Sequence, residues 1–161
     1  MITVVLPTHD SAARLVAVLT LLVPAAVDGL VKAVVFADAG STDATLDIAE
    51  DSGARVVQAQ GDAGTRLAAG CAVAKSPWIL ALGEDLTLPE AWRVPVEAHL
   101  AGGGGKPAFI AAPGPLGLPG RPLAVLVKLE AVAAAGGFRA GGEPLKALLG
   151  RLKPKPVRLR V

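Results

Sequence analysis

Apolar residues in this chain form short unbroken runs, which alternate with segments where apolar positions recur every three or four residues. The unbroken runs are typical of buried strands, and the recurrent spacing is typical of helices with one buried face. Strands are predicted over residues 2–6, 34–37, 55–58 and 78–82. This alternation, with short connections, predicts an α/β fold with a mainly parallel sheet and helices on both faces.

The helices between these strands have recognisable ends. Asp10 or Ser11 can cap the first helix, which Pro24 ends or bends. Ser41 or Thr42 can cap the second helix, which runs to about residue 51, and the third helix covers roughly 65–75. Further along the chain we predict helices over 88–100, 130–135 and 144–152, and strands over 108–112, 123–129 and 157–161.

Asp38 lies at the C-terminal end of the second apolar run, where open α/β sheets place ligand-binding side chains. Gly40 then allows a tight turn before the next helix. The Asp38 carboxylate could accept hydrogen bonds from a nucleotide base or a ribose. The alternative is that Asp38 is only a cap or turn residue.

The length, charge and residue composition of the chain exclude several classes of protein. The chain has 161 residues, one cysteine and a net charge of +2, with 3% aromatic residues. The length suits one domain, while the weak charge and scarce aromatics argue against nucleic-acid binding. The apolar run 15–27 is too short to span a bilayer, and no signal peptide is apparent. Together with the absence of any intrachain disulfide, this predicts a cytoplasmic protein without a transmembrane segment.

Several motifs follow one another in a fixed order along the chain. They are VVLPTHD at 4–10, DAGSTD at 38–43, LGED at 82–85 followed by Leu88 and Pro89, GGF at 136–138, and GEPL at 142–145 with LGRL at 149–152. This series resembles family 2 glycosyltransferases of the GT-A fold, which transfer sugars from nucleotide diphospho-sugars. The resemblance is most specific at residues 38–43, against the family's DDGSTD.

The resemblance implies a nucleotide-binding half at residues 1–89, a short acceptor-side half at 90–152 and a basic tail at 153–161. It also implies a nucleotide-sugar donor, with uridine the commonest nucleotide by analogy, and a divalent metal ion, Mg²⁺ or Mn²⁺. The nucleotide-contacting positions that it implies are Pro7, Thr8, His9, Asp38, Gly40 and Arg66. Arg66 stands one position from the family's RN pair, and on a helix one position changes the direction of a side chain.

The family's paired metal carboxylates correspond here to an altered turn, with Gly83 at the first position. Asp85 is then the candidate metal ligand, with Glu84 as a substitute for the missing carboxylate. The alternative is an exposed acidic loop. Glu143 is the candidate catalytic base, which would take a proton from the acceptor hydroxyl in an inverting reaction. Its alternative role is to favour a helix N-terminus through its negative charge.

These departures leave two functions open: an active transferase, or a non-catalytic relative that binds a nucleotide or a partner protein. The short acceptor-side half could be completed by a second subunit, which makes a homo-oligomer an open alternative. The basic tail could contact a diphosphate or, peripherally, an anionic membrane, or it could be a solvated edge.

Overall fold

The computed structural model describes all residues, 1–161. Its centre is one seven-stranded sheet with the order β3-β2-β1-β4-β6-β5-β7. The strands are β1 Ile2–Thr8, β2 Val31–Asp38, β3 Arg55–Gln58, β4 Trp78–Leu82, β5 Ala108–Pro113, β6 Pro119–Lys128 and β7 Val157–Arg158. Every pairing is parallel except those of β6, which runs antiparallel to both β4 and β5. The predicted α/β class with a mainly parallel sheet is confirmed.

Helices cover both faces of this sheet. They are α1 Ala12–Val27, α2 Thr45–Ser52, α3 Ala63–Val73, α4 Arg93–Ala101, α5 Leu129–Ala134 and α6 Pro144–Arg151. Buried side chains of α1, α2 and α4 form one apolar cluster with the sheet, and those of α3, α5 and α6 form a second cluster on the opposite face. Burial of these apolar side chains on both faces holds the layers together.

The helix starts differ in detail from the predicted caps. Helix α2 begins at Thr45 instead of directly after Ser41 or Thr42, because the Ser41 hydroxyl is engaged by Asp38 and by the backbone N–H of Asp10. The carboxylate of Asp43 accepts the Thr45 N–H at 2.9 Å. Helix α3 begins two residues earlier than predicted, since Asp62 caps it through the Thr65 N–H.

Two of the predicted helices, the first one and the one over 88–100, differ from the prediction in their extent. Pro24 does not end α1, which continues to Val27. Pro24 lies within the last turn, where the Asp28 N–H still bonds to its carbonyl oxygen. The predicted helix over 88–100 divides into a 3-10 turn, Glu90–Trp92, and α4. No helix combines the length and the apolar character that crossing a membrane requires.

The topology gathers the chemistry-bearing loops at one edge. Strands β1, β2 and β4 are parallel neighbours, so their C-terminal ends lie side by side. Because β6 is antiparallel to β4, its N-terminal half reaches the same edge. The loops after β1 and β4, the start of β6 and the turn before α6 therefore surround one space.

Candidate active site

Asp38, at the end of β2, is completely buried and its carboxylate already accepts four hydrogen bonds. One oxygen accepts the Thr8 hydroxyl at 2.8 Å and the Ser41 hydroxyl at 2.5 Å. The other oxygen accepts the backbone N–H groups of Gly40 at 2.9 Å and Ser41 at 2.8 Å. Burial raises the pKa of this carboxyl, but the hydrogen bonds from Ser41, Thr8 and Gly40 outweigh it and hold the pKa below its ordinary value.

This arrangement corresponds to the turn role that the sequence left open for Asp38. A carboxylate has about four acceptor positions, and all are engaged inside the protein. Gly40, with φ +85°, provides the left-handed turn that aims its N–H at Asp38. Direct contact between Asp38 and a nucleotide stays a prediction, and this geometry does not favour it.

The loop after β1 is fastened to the loop after β2. Asp10, with φ 45°, accepts the Thr42 N–H at 2.8 Å, while its own N–H donates to Ser41 at 2.9 Å. His9 is half exposed, and its ring nitrogen lies 3.9 Å from the Asp10 carboxylate. The loop therefore presents His9 to the cleft described below, while Pro7 and Thr8 are buried within β1.

Asp85, in the turn after β4, is the acidic side chain best placed for a ligand. One oxygen of its carboxylate accepts the Thr87 hydroxyl at 2.8 Å and a hydrogen bond from Arg121. The other oxygen, Oδ1, is buried and has no hydrogen-bond partner. Burial raises the pKa of Asp85, but Arg121 and Thr87 lower it by more, so the pKa lies below its ordinary value.

The structure also gives a reason for glycine at position 83. A Cβ at Gly83 would lie 3.1 Å from Oδ1 of Asp85, which is tighter than an ordinary contact. The Gly83 N–H donates to the carbonyl oxygen of Leu123 at 2.9 Å and so continues the β4–β6 ladder. A longer side chain at position 83 would therefore crowd the carboxylate that the turn presents.

Arg66 contacts the turn after β4 through Glu84 but does not line the cleft, so its contact with a nucleotide stays a prediction. Its Nη2 donates to the carboxylate of Glu84, and its side chain is 4% exposed. Arg66 lies on the buried face of α3, and its long side chain extends from there to the turn after β4. Its Nε and Nη1 are buried without hydrogen-bond partners.

Glu143 lies across the cleft, at the N-terminus of α6. Its side chain is exposed and makes no cap bond to the helix, but forms an ion pair with Lys146 at 3.0 Å. The turn before it is fixed to α3, since Asp62 accepts the Gly141 N–H at 2.6 Å. Hydrogen bonds from Thr65 and Gly141 hold the pKa of Asp62 below its ordinary value.

These elements enclose a cleft of about 830 Å³. It brings together four of the residues singled out from the sequence, which are His9, Glu84, Asp85 and Glu143. The remaining ones, which are Pro7, Thr8, Asp38, Gly40 and Arg66, do not line it. Sequence reasoning missed the charged lining residues Arg14, Asp62, Arg121 and Lys146. Of these, Asp62 carried a usable signal, because an acidic residue three positions before Thr65 is typical of a helix cap.

The residues of the turn fit a divalent cation that is shared with a ligand. No group of three or more His, Cys, Asp or Glu side chains is placed to hold a metal ion alone. Asp85 nevertheless offers a buried carboxylate oxygen without a partner, beside Glu84. Mg²⁺ is commonly held by one or two carboxylates together with the phosphates of a substrate.

Comparison with known structures shows the same fold. The chain resembles glucosyl-3-phosphoglycerate synthase from Mycobacterium tuberculosis in complex with UDP, at 24% identity and a TM-score of 0.76, with 100% of this chain and 71% of that chain covered. The same enzyme in complex with Mn²⁺, UDP and glucosyl-3-phosphoglycerate matches at 24% identity and a TM-score of 0.75, with 99% of this chain and 70% of that chain covered. TarS from S. aureus matches at 17% identity and a TM-score of 0.77, covering 98% of this chain and 57% of that chain.

A comparison with functionally curated proteins gives no match. The family model of glycosyl transferase family 2 matches residues 3–102, which is more than half of the chain and includes the loops after β1, β2 and β4. Together with the GT-A fold of the similar structures, this match shows that the chain belongs to glycosyl transferase family 2.

Proposed function

We propose that this domain binds a nucleotide diphospho-sugar in the cleft and transfers the sugar to an acceptor hydroxyl. The observation that carries this proposal is the position of Asp85 and Glu143 on the same cleft, at the C-terminal edge of the parallel sheet. Asp85 offers a free buried oxygen to a cation, and Glu143 offers an exposed carboxylate to an acceptor.

The donor would be a uridine diphospho-sugar, and the cation Mg²⁺ or Mn²⁺. Support comes from the mycobacterial synthase, which has been solved with Mn²⁺ and UDP-glucose. Asp85 and Glu84 would hold the cation, whose charge stabilises the negative charge that develops on the leaving diphosphate. His9 lies on the β1 side of the same cleft, where it would contact the nucleotide.

Glu143 would act as the base. Its carboxylate would take the proton from the acceptor hydroxyl while that oxygen attacks the anomeric carbon, and the sugar–phosphate bond breaks on the opposite side. This displacement inverts the anomeric configuration. The link between Asp62 and Gly141 would hold the Glu143 turn at the cleft while the acceptor enters.

The remaining expectations belong to the same proposal. Residues 1–89 would bind the nucleotide and residues 90–152 the acceptor, in a cytoplasmic protein that does not bind nucleic acid. The tail supplies Lys153, Lys155 and Arg160 as exposed cations for contact with an anionic membrane surface. A second copy of the chain could complete the acceptor side.

A second candidate is a non-catalytic relative that binds nucleotides or a partner protein. One observation favours it: Glu84, Asp85 and Glu143 are each paired with a basic side chain of the protein itself. Such pairs reduce the charge available to a cation or to an acceptor proton.

Calorimetric titration of UDP and GDP, with and without Mn²⁺, separates the two candidates. The transferase should bind UDP with micromolar affinity in the presence of Mn²⁺, and Asp85→Ala should abolish the contribution of the metal. Asp51→Ala, which removes an exposed carboxylate from α2, is the matched control and should leave binding unchanged. Binding that is indifferent to Mn²⁺ and to Asp85 would favour the non-catalytic relative, and no nucleotide binding at all would overturn both nucleotide-based functions.

A sugar-transfer assay then tests the base. Glu143→Gln should retain UDP binding and lose turnover, since the amide cannot accept the proton. Turnover equal to that of the wild-type protein would exclude Glu143 as the base.

A further inference from the structure

Arg121, near the start of β6, lies opposite the turn that carries Asp85. In the β4–β6 ladder Leu82 pairs with Ala124, and the Gly83 N–H bonds to Leu123 one step further on. Continuing this antiparallel register places Arg121 opposite Asp85. The two side chains form an ion pair, and both line the cleft.

The ion pair obstructs the proposed cation site. Arg121 takes the same Asp85 oxygen that accepts the Thr87 hydroxyl, and Arg66 takes the neighbouring Glu84. The two carboxylates of the turn are therefore balanced by two guanidinium groups. A cation that approaches Asp85 must compete with a positive charge that the protein itself supplies.

The two arginines differ in their freedom to move. Arg66 is 4% exposed and cannot leave without disrupting the interior, whereas Arg121 is 57% exposed. Exposed ion pairs are weak and exchange readily with solvent. The planar guanidinium also matches the oxygens of a phosphate group, to which it donates two parallel hydrogen bonds.

We propose that Arg121 is a diphosphate-binding residue with two positions, paired with Asp85 in the empty cleft and bound to the phosphates of the donor when a cation takes Asp85. This inference rests on the proposed function. It makes Arg121 a residue that weakens cation binding to the free protein and strengthens nucleotide binding.

Arg121→Gln tests the proposal through two affinities that should change in opposite directions. Free Mn²⁺, followed by electron paramagnetic resonance without nucleotide, should bind the variant about two- to fivefold more tightly, because an exposed competing cation has gone. UDP, titrated calorimetrically at saturating Mn²⁺, should bind at least about tenfold more weakly, because the cation frees Arg121 from Asp85 in the wild-type protein and the variant lacks the charge-assisted hydrogen bond to the phosphates.

Arg93→Gln is the matched control. Arg93 also forms ion pairs, with Asp28 and Glu97, and none of these three residues lines the cleft. Both affinities should equal those of the wild-type protein. Arg121→Lys retains the charge without the planar fork, so its affinity for UDP should fall between those of the wild-type protein and Arg121→Gln.

The proposal is overturned if Arg121→Gln binds UDP within twofold of the wild-type affinity, or if its Mn²⁺ and UDP affinities fall together as they would in a damaged cleft. If Arg121→Gln does not fold, Arg121→Lys provides the test. A UDP affinity of Arg121→Lys equal to that of the wild-type protein then overturns the proposal. Failure of the wild-type protein to bind either UDP or Mn²⁺ instead overturns the proposed function.

Discussion

The buried guanidinium of Arg66 donates one hydrogen bond, to the exposed carboxylate of Glu84, and leaves two of its other nitrogens without a partner. A buried donor without an acceptor costs about 1–3 kcal/mol of stability. The arrangement is therefore costly in the ligand-free protein. It places two unpaired N–H groups of Arg66 next to Glu84, in the turn that also presents Asp85.

Replacing Arg66 with methionine should separate stability from binding. A side chain of similar volume removes the unpaired donors, so the free energy of unfolding should stay equal or rise by about 1 kcal/mol. The affinity for UDP with Mn²⁺ should fall at least about tenfold, because Glu84 loses the group that orients it. Urea unfolding measures the first quantity and calorimetric titration the second.

Glu84→Gln is the complementary variant, since it removes the charge that balances Arg66 and leaves the buried guanidinium in place. It should lower the free energy of unfolding by about 1–2 kcal/mol, with the exposure of Glu84 keeping this loss small. If Arg66→Met is the less stable of the two variants, the unpaired donors of Arg66 are not costly to the fold, and UDP affinity equal to that of the wild-type protein would contradict its role in binding.

Asp38→Asn should be strongly destabilising, although the side chains have nearly the same shape. All four groups around Asp38 donate hydrogen bonds, and the amide of asparagine would point a donor at one or two of them. We expect the free energy of unfolding at pH 7 to fall by about 2–4 kcal/mol. Urea denaturation measures this loss, with Asp51→Asn on the exposed side of α2 as the control.

The same pair of proteins should show a defined pH dependence. The pKa of Asp38 is lower in the folded chain than its ordinary value of 3.8. The unfolded chain therefore binds the proton more tightly, so the stabilisation is complete above about pH 4 and is lost as the pH falls below 3.8. The stability difference between the wild-type protein and Asp38→Asn should narrow from pH 5 to pH 3, and a constant difference would contradict the assignment.

The sequence was sufficient to place most strands and helices along the chain, although β7 covers only Val157–Arg158 of the predicted 157–161. The bounds of β3 and β4 match the predicted residues 55–58 and 78–82, because each run is bounded by residues that favour turns. The short helices after residue 129 were also placed within a residue or so, from their apolar spacing. These features depend on local patterns, which a single sequence records directly.

The site depended on relationships that local patterns do not record. Arg121 faces Asp85 only because β6 pairs antiparallel with β4, across 36 residues of sequence. Arg66 belongs to the buried face of α3 and meets Glu84 across 18 residues of sequence. Asp38 has the expected position in the fold, and three of its four hydrogen bonds come from the adjacent Gly40 and Ser41, but the fourth comes from Thr8, 30 residues away in β1.

Cys71 should be unreactive in the folded protein. It lies on α3 against the sheet, and burial raises its pKa from 9.0 to about 12. The thiolate, which is the reactive form, is then about a thousandfold rarer at pH 8 than in a thiol with the ordinary pKa. A disulfide reagent such as Ellman's should label the native protein at least about a hundredfold more slowly than the urea-unfolded chain, and labelling within tenfold of the unfolded rate would contradict this burial.

Gly64 lies so close to the turn before α6 that adding one methyl group should lower the free energy of unfolding substantially. A Cβ at Gly64 would lie 1.9 Å from the carbonyl oxygen of Arg139, so the turn would have to move away from α3. Gly64→Ala should lower the free energy of unfolding by about 2–3 kcal/mol, since backbone cannot yield as a side chain does. Because the same turn leads to Glu143, turnover in a sugar-transfer assay should fall more than UDP affinity.

Gly150→Ala should stabilise the protein, whereas Gly64→Ala should destabilise it. Gly150 lies inside α6, has no atom within 4 Å of an added Cβ and has no left-handed φ. Alanine should therefore raise the free energy of unfolding by about 0.5–1 kcal/mol, through its greater helix propensity. If Gly64→Ala raises the free energy of unfolding as Gly150→Ala does, the carbonyl of Arg139 does not rest on Gly64 in solution.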